Sequence, residues 1–493
     1  MLNYRRILRE GLKTYCERVD AMSPSPLRHA LSDTLAGIAD FLRRAPGDIE
    51  MCAFSPAHDF YSAMRSFNFF FALDQYDSAG RFDDCMGEYF RGEPDAQAWI
   101  EELYRAVDLH DGWHFLHTGK YPAFTKLCLR AQKLRRPNAG ILIEPDTPQE
   151  LWDEILDLWG KGIPCPSLYN ASAYRDAIPR MTDARGLDRE HFVFGGCTEL
   201  MFEGCSNVGS TEGGIHLLDI LNNSTPAKFH ADIRCKIGEF AESVRMNSEF
   251  AARYRPQLIR TLFVDDCIDR ETEYNAGGAR CRGSIVNVAG MTDAVNSLAA
   301  MRGLQERFGN DSSEVDEIAR KLAEFTFREI RKHKMRLGGP AYPAVILLTG
   351  YAWHGSYVDA SADGRKAGAP VVDSIGAVSG TDHKGPTALL NSVARLPSSL
   401  GIGTLVLNVR LERSLAASPD KRPKLQSLIR GFFAQGGLQL QPTLIDQQTL
   451  KKACENPDAH PELIVRIGGY SEYYNRLSRD LQLEVLKRTE HAI

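Results

Sequence analysis

The chain has 493 residues, of which 43% are hydrophobic and 25% charged, with a formal net charge of −5. That is the make-up of a soluble globular protein holding one large domain or two or three ordinary ones. The small acidic excess supplies no basic surface for nucleic acid or anionic membrane, so neither is an expected partner.

Residues 1–10 are helix-like and charged, without an apolar core of signal-peptide length. The most apolar stretches fall far short of a membrane span, and a cytoplasmic location is expected. Eleven scattered cysteines without a Cys-x-x-Cys pair argue against a disulfide framework. Most read as small buried hydrophobes.

Apolar residues at helical spacing predict helices from Tyr4 to Ala21 and from Leu27 to Arg43, with a Ser-Pro-Ser-Pro breaker between them. An aromatic-rich buried helix is expected from Asp59 to Asp74. His110, His114 and His117 have the spacing of metal ligands on a helix. Asp111 and Gly112 weaken that helix, however, and no cysteine or carboxylate completes the set, so solvated or packing histidines are the plainer reading. Thr147 as cap and Pro148 in the first turn predict a helix through Leu158. Further helices are expected at Ala227 to Met246, Ala294 to Phe308 and Val315 to Lys334.

The last third alternates. Gly403 to Leu411 and Leu438 to Ile445 are strand-like, and helices from Lys424 to Ala434 and from Gln447 to Cys454 lie between them and the apolar run Leu463 to Ile467. This alternation predicts an α/β architecture, without internal repeats or linkers.

Two glycine-rich segments carry the chemistry. Phe192 to Phe194 is a short β-like run ending in Gly195 and Gly196, which places Cys197 at a strand-to-loop junction. Cys197 and Glu199, two apart, point the same way in an extended segment. A thiol and a carboxylate on one side of a loop suit exchange of a hydrogen atom or proton with one substrate. Taken alone, the segment equally describes a buried cysteine with a solvated glutamate beyond it. Near the C-terminus, Val465-Arg466-Ile467-Gly468-Gly469-Tyr470 sets a double glycine between an apolar run and an aromatic residue, which by itself reads as a turn.

Together these segments resemble the glycyl radical enzymes of the pyruvate formate-lyase-like family. Gly-Cys-x-Glu resembles that family's cysteine loop. Arg466 to Tyr470 resembles its Arg-Val-x-Gly-Tyr loop, with Ile467 replacing valine and Gly468 in the variable position. Gly80 to Asp83, Tyr274 to Ala279, Asp293 to Ala300, Ala362 to Gly368 and Gly401 to Leu405 are similar to the family as well. The resemblance covers roughly residues 60 to 493.

The resemblance implies a ten-stranded α/β barrel surrounded by helices, with the cysteine and glycine loops meeting inside. It implies a pyruvate formate-lyase-like domain over residues 1–400, with a shortened helical N-terminus, and a glycine radical domain over 401–493. It assigns the stored radical to Gly469, hydrogen transfer through a thiyl radical to Cys197 and general acid–base work to Glu199. The expected cofactor is the protein radical itself, with no metal in the enzyme. S-adenosylmethionine and an iron–sulfur cluster belong to a separate activating enzyme, which is the expected partner. A homodimer, oxygen sensitivity and a small polar substrate are also implied.

Formate acetyltransferases carry two adjacent cysteines, whereas Cys197 is flanked by Gly196 and Thr198. The loop therefore resembles the lyases, dehydratases and decarboxylases that cleave C–O, C–N or C–C bonds. The departures are also informative. Diol dehydratases follow the loop with a His-Asp pair, where this chain has Ser210 to Gly214. Alternatives are formate C-acetyltransferase activity, a non-catalytic radical-bearing homologue, and a thiol hydrolase, for which no histidine motif is present. A phosphate loop at Gly204 to Thr211 lacks the required lysine. Arg365 reads as a structural ion pair or as a contact to an anionic substrate.

Overall fold

The computed structural model describes residues 1–181, 189–207 and 211–492. Among the described residues fourteen strands lie between helices: β1 Ser78–Arg81, β2 His114–His117, β3 Asn138–Ile143, β4 Ser167–Asn170, β5 Phe192–Gly195, β6 Glu199–Phe202, β7 Thr211–His216, β8 Ser284–Ala289, β9 Ala341–Val345, β10 Thr404–Leu405, β11 Asn408–Arg410, β12 Gln439–Thr443, β13 Ile464–Ile467 and β14 Tyr470–Tyr473.

Ten of them form two sheets, in the orders β1-β2-β3-β4-β12-β11 and β10-β9-β8-β7. Within these sheets every pairing is parallel except that of β12 with β4. Parallel strands need crossover helices, and helices covering the outer faces allow short, fully buried strands such as Asn138–Ile143. The expected ten-stranded α/β arrangement is what the chain adopts.

Residues 404–410 join the two sheets. The sequence reads Gly403 to Leu411 as one strand, but β10 pairs with β9 while β11 pairs with β12. The chain changes sheets at Val406 and Leu407, which are buried whichever sheet they serve. Periodicity cannot register such a handover.

The two remaining strand pairs are antiparallel hairpins, β5–β6 and β13–β14. The first spans the interior. Ser78 Oγ donates to the Phe194 carbonyl (2.8 Å), and on the opposite side Leu200 N donates to the Gly403 carbonyl (2.9 Å). Phe194 stacks on Tyr169 of β4, centroids 4.1 Å apart. The second hairpin lies against β3, β4 and β12 through the side chain of Arg466.

The N-terminal helices fall where the periodicity puts them, at Tyr4–Asp20 and Pro26–Arg44. The aromatic helix Phe60–Leu73 opens with a reciprocal cap between Asp59 and Ser62. Thr147 does not cap the next helix. Its hydroxyl accepts from Glu144 N (2.7 Å) and closes a turn, and Pro148 takes the cap position before Gln149–Gly160. The helix expected to run to Phe308 stops at Met301, and the one expected to start at Ala227 spans Phe229–Tyr254. The short strands β1 to β4 were not distinguished from the helical texture around them.

Candidate active site

Cys197 and Gly469 occupy the tips of the two hairpins, and the tips touch. A Cβ added at Gly469 would overlap the Cys197 carbonyl oxygen and lie 3.1 Å from Cys197 Cβ. Gly469 has φ +103° and Gly468 φ +41°, a left-handed pair that side chains resist. At Gly468 an added Cβ would run into the backbone of Leu348. Both glycines are therefore required by shape.

The cysteine tip is a turn, not the extended segment expected from the sequence. Thr198 N donates to Gly195 O (2.8 Å), and Thr198 itself holds φ +112°. A threonine there is strained. Its hydroxyl is fixed within 2.9 Å of Thr404 Oγ1, which takes a 2.6 Å bond from Gln439. Glu199 then folds back so that its Oε2 accepts from the Cys197 N–H (2.8 Å). The thiol and carboxylate still share a site, but through this return bond and not through strand alternation. Glu199 is 2% exposed, so the solvated alternative is excluded.

Burial governs the electrostatics of both groups. It pushes the Glu199 carboxyl up to about 7, with backbone N–H donors at Glu199, Cys197 and Thr211 pulling the other way. Burial, and secondarily the nearby Glu199, raise the Cys197 thiol well above its usual range. The sulfur therefore keeps its hydrogen, while the carboxyl is poised to take or give a proton near neutral pH.

The glycine tip rests in a polar cage. Gly469 O accepts from Asn138 Nδ2 (2.9 Å) and from Arg466 (3.2 Å). Arg466 is fully buried and also donates to Gln441, Ser167, Asn138 and Ser471. Arg136 donates to Ser471 O (2.6 Å) and sits over the rings of Trp113 and Tyr470. Burial lowers its pKa, with Arg135 adding to the effect. Asn138 also reaches the Gly196 carbonyl at 3.4 Å, so one side chain touches both tips. Neither Asn138, Arg136 nor the cage around Arg466 was singled out in the sequence, because their partners lie hundreds of residues away along the chain.

The histidines follow the plainer reading, as solvated or packing groups, although two of them lie on a strand and not on a helix, and the ion-pair expectation for Arg365 is corrected. His114 and His117 lie on strand β2, three residues apart and so on opposite faces, while His110 follows the preceding helix and stacks on Tyr76. His114 bonds Tyr169 OH (3.0 Å) and burial lowers its pKa to about 3. Among the described residues no group of three or more His, Cys, Asp or Glu is placed to hold a metal. Among the described residues Arg365 forms no ion pair. It is clamped by the carbonyls of Gly355, Val358, Asp359 and Ala369, which curl around it in the turn it occupies. The loop at Gly204 to Thr211 includes residues 208–210, which lie outside the described residues, as does Ser210 of the segment standing where diol dehydratases carry their His-Asp pair. No helix among the described residues is long and apolar enough to cross a membrane.

Residues 371–475 match the family model described as Glycine radical, and residues 226–307 match that described as Pyruvate formate lyase-like. Gly469 lies inside the first segment, and Cys197 lies outside both. The chain is 25% identical over 419 residues to trans-4-hydroxy-L-proline dehydratase of Clostridioides difficile, covering 73% of this chain and 53% of that protein. It is 27% identical over 274 residues to (2S)-3-sulfopropanediol dehydratase of Klebsiella oxytoca, covering 48% of this chain and 33% of that protein. The matched stretches thus span 53% and 33% of the length of these curated relatives. The glycerol-bound B12-independent glycerol dehydratase of Clostridium butyricum has the same fold, with a TM-score of 0.87 at 21% identity over 100% of this chain and 79% of that one. In these segments, relatives and fold the chain is similar to the glycyl radical enzymes of the pyruvate formate-lyase-like family.

Proposed function

We propose that this protein is a radical lyase that eliminates a small group from a small polar metabolite by cleaving a C–O, C–N or C–C bond. The observation that carries the reading is the contact of the two tips, which sets the Gly469 α-carbon against Cys197. Relatives named as dehydratases support C–O cleavage first.

In this reading the Gly469 radical takes the hydrogen atom of the Cys197 thiol, restoring the glycine C–H bond and leaving a thiyl radical. The thiyl radical removes a hydrogen atom from a substrate carbon. Glu199 accepts a proton from the substrate radical and returns one to the departing group, and the resulting product radical takes the hydrogen back from Cys197. Burial supports each step, since a thiyl radical in reach of solvent and bulk solutes would react without selectivity.

The radical is installed by a separate radical S-adenosylmethionine activating enzyme, which must reach Gly469. The C-terminal hairpin therefore leaves the barrel during activation. A cytoplasmic homodimer that is sensitive to oxygen completes the proposal.

The test is anaerobic activation followed by electron paramagnetic resonance. A doublet split by the remaining α-hydrogen is expected, absent in Gly469→Ala and retained in Cys197→Ala, which should not turn over. Exposing the activated protein to air should separate residues 470–493 from the rest. A competent activating enzyme that yields no signal would overturn the reading.

A further inference from the structure

A polar cavity, about 390 Å3, lies between the barrel and the C-terminal segment. Cys197, Glu199 and Gly469 are not among the residues that line it. One wall is the tail, with Glu484, Lys487, Arg488, Thr489 and His491, and the opposite wall includes Asn296, Tyr351, Arg365, Asn408 and Arg410. Each residue of that opposite wall leaves one buried polar atom without a partner: Asn296 Nδ2, Tyr351 OH, Arg365 Nε, Asn408 Oδ1 and Arg410 Nε.

These vacancies are not signs of loose packing. Asn296, Tyr351 and Arg410 are each at most 2% exposed, and their neighbouring atoms are well bonded. Asn296 Oδ1 accepts from Phe308 N (2.9 Å), and Asn408 Nδ2 donates to Asp373 (3.2 Å). Arg410 donates to Glu490 (3.0 Å), to Arg488 O and to Ile445 O. An unmatched buried polar group costs about 1–3 kcal/mol, so five around one cavity call for a ligand or ordered water.

Their chemistry is one-sided: four donors and a single acceptor. Of the five lining acids, Asp373 is engaged by Arg488 and Asp382 by His491, while Glu484 accepts from Ser379, Asp363 from Ser361 and Asp293 from Val372 N. Arg307 and Arg365 are bonded only to backbone carbonyls among the described residues. Burial raises the Asp293 carboxyl to about 6, and this carboxyl accepts from Val372 N (3.0 Å). Acceptor oxygens with negative charge fit the donors, and one hydroxyl fits Asn408 Oδ1.

We propose that this cavity binds a small hydroxy carboxylate and that its occupancy clamps the C-terminal segment to the barrel. The ligand would bridge the tail wall and the barrel wall, so it would bind the docked tail and not the released one, and linkage makes it hold the tail down.

The experiment uses the full, unactivated chain, so its outcome does not depend on the radical reading. Malate, citrate and succinate are titrated calorimetrically, and amide exchange is followed across residues 484–491. Malate or citrate should bind at one site per chain and slow exchange in that segment. Succinate, lacking the hydroxyl, should bind several-fold more weakly. Tyr351→Phe removes a hydroxyl that has no protein partner, so it should leave the melting temperature unchanged and weaken binding about tenfold. The exposed Lys487→Gln should weaken it by less. Absence of saturable binding by malate and citrate at millimolar concentration would mean that the cavity holds water only. Binding that ignores Tyr351→Phe, or leaves tail exchange unchanged, overturns the proposal equally.

Discussion

The two hairpins that meet at the candidate site are held in opposite ways. The cysteine hairpin is gripped by rings: Phe192 stacks on Tyr174 and Phe194 on Tyr169, all buried. Returning each such side chain to water costs about 1.5–3 kcal/mol with nothing to offset it. The glycine hairpin keeps Val465 and Ile467 buried, but its tip is held by hydrogen bonds from Arg466, Arg136 and Asn138. The Asn138 bond is worth about 0.5–1.5 kcal/mol net and those from the arginines about 1.5–3 kcal/mol, but water can replace each of them. One hairpin is thus a fixture of the barrel and the other is attached by exchangeable contacts. That is the asymmetry expected if only the glycine tip must be presented to another protein.

Gly469→Ala should break the arrangement most completely. Its Cβ would overlap Cys197 O at φ +103°, so the tips must part, with loss of the radical signal, of turnover and of several kcal/mol of stability, read by calorimetry. Glu199→Gln tests the fixed hairpin alone. It should leave the radical signal intact and lower turnover by about 10²–10⁴.

The same variant has a signature in stability. The folded pKa of Glu199 is raised to about 7 from 4.5, so the folded state binds the proton more tightly than the unfolded state does. Stability from this group is therefore fully present below about 4.5 and falls as pH rises through about 7. Glu199→Gln should flatten that part of a melting-temperature profile.

Arg466→Met tests the exchangeable hairpin. It strands Gln441, Ser167 and Asn138 and should cost about 3 kcal/mol or more. Amide exchange should accelerate across residues 464–473 and not across 192–202. If both segments loosen together, the contrast between the hairpins is wrong. Asn138→Ala should have the smallest effect, about 1–2 kcal/mol, and should widen the separation of the tips without releasing either.

Legibility followed the range of the interactions. Glycines and a cysteine that mark tight turns are local signals, and they located both tips as well as the run that became β13. Long amphipathic helices were legible for the same reason. The cage was not, because an arginine that bonds residues 167, 138 and 441 looks like any other arginine in a string. Buried strands of four to six residues in a parallel sheet carry too little periodicity to separate from helix, which hid β1 to β4. The histidine spacing could not by itself tell a helix from a strand, because a gap of three residues occurs on either.

The two donors on the Gly469 carbonyl have a further consequence for a radical at that residue. Such a radical is captodative: the flanking nitrogen pushes electron density in and the carbonyl draws it out. Asn138, and above all the cationic Arg466, strengthen the withdrawing side and so weaken the glycine C–H bond relative to an unassisted peptide. Cys197 has the reverse environment, a neutral thiol in an apolar hairpin that offers a thiyl radical no comparable support. In the proposed cycle the unpaired electron would thereby rest on carbon and visit sulfur only in passing.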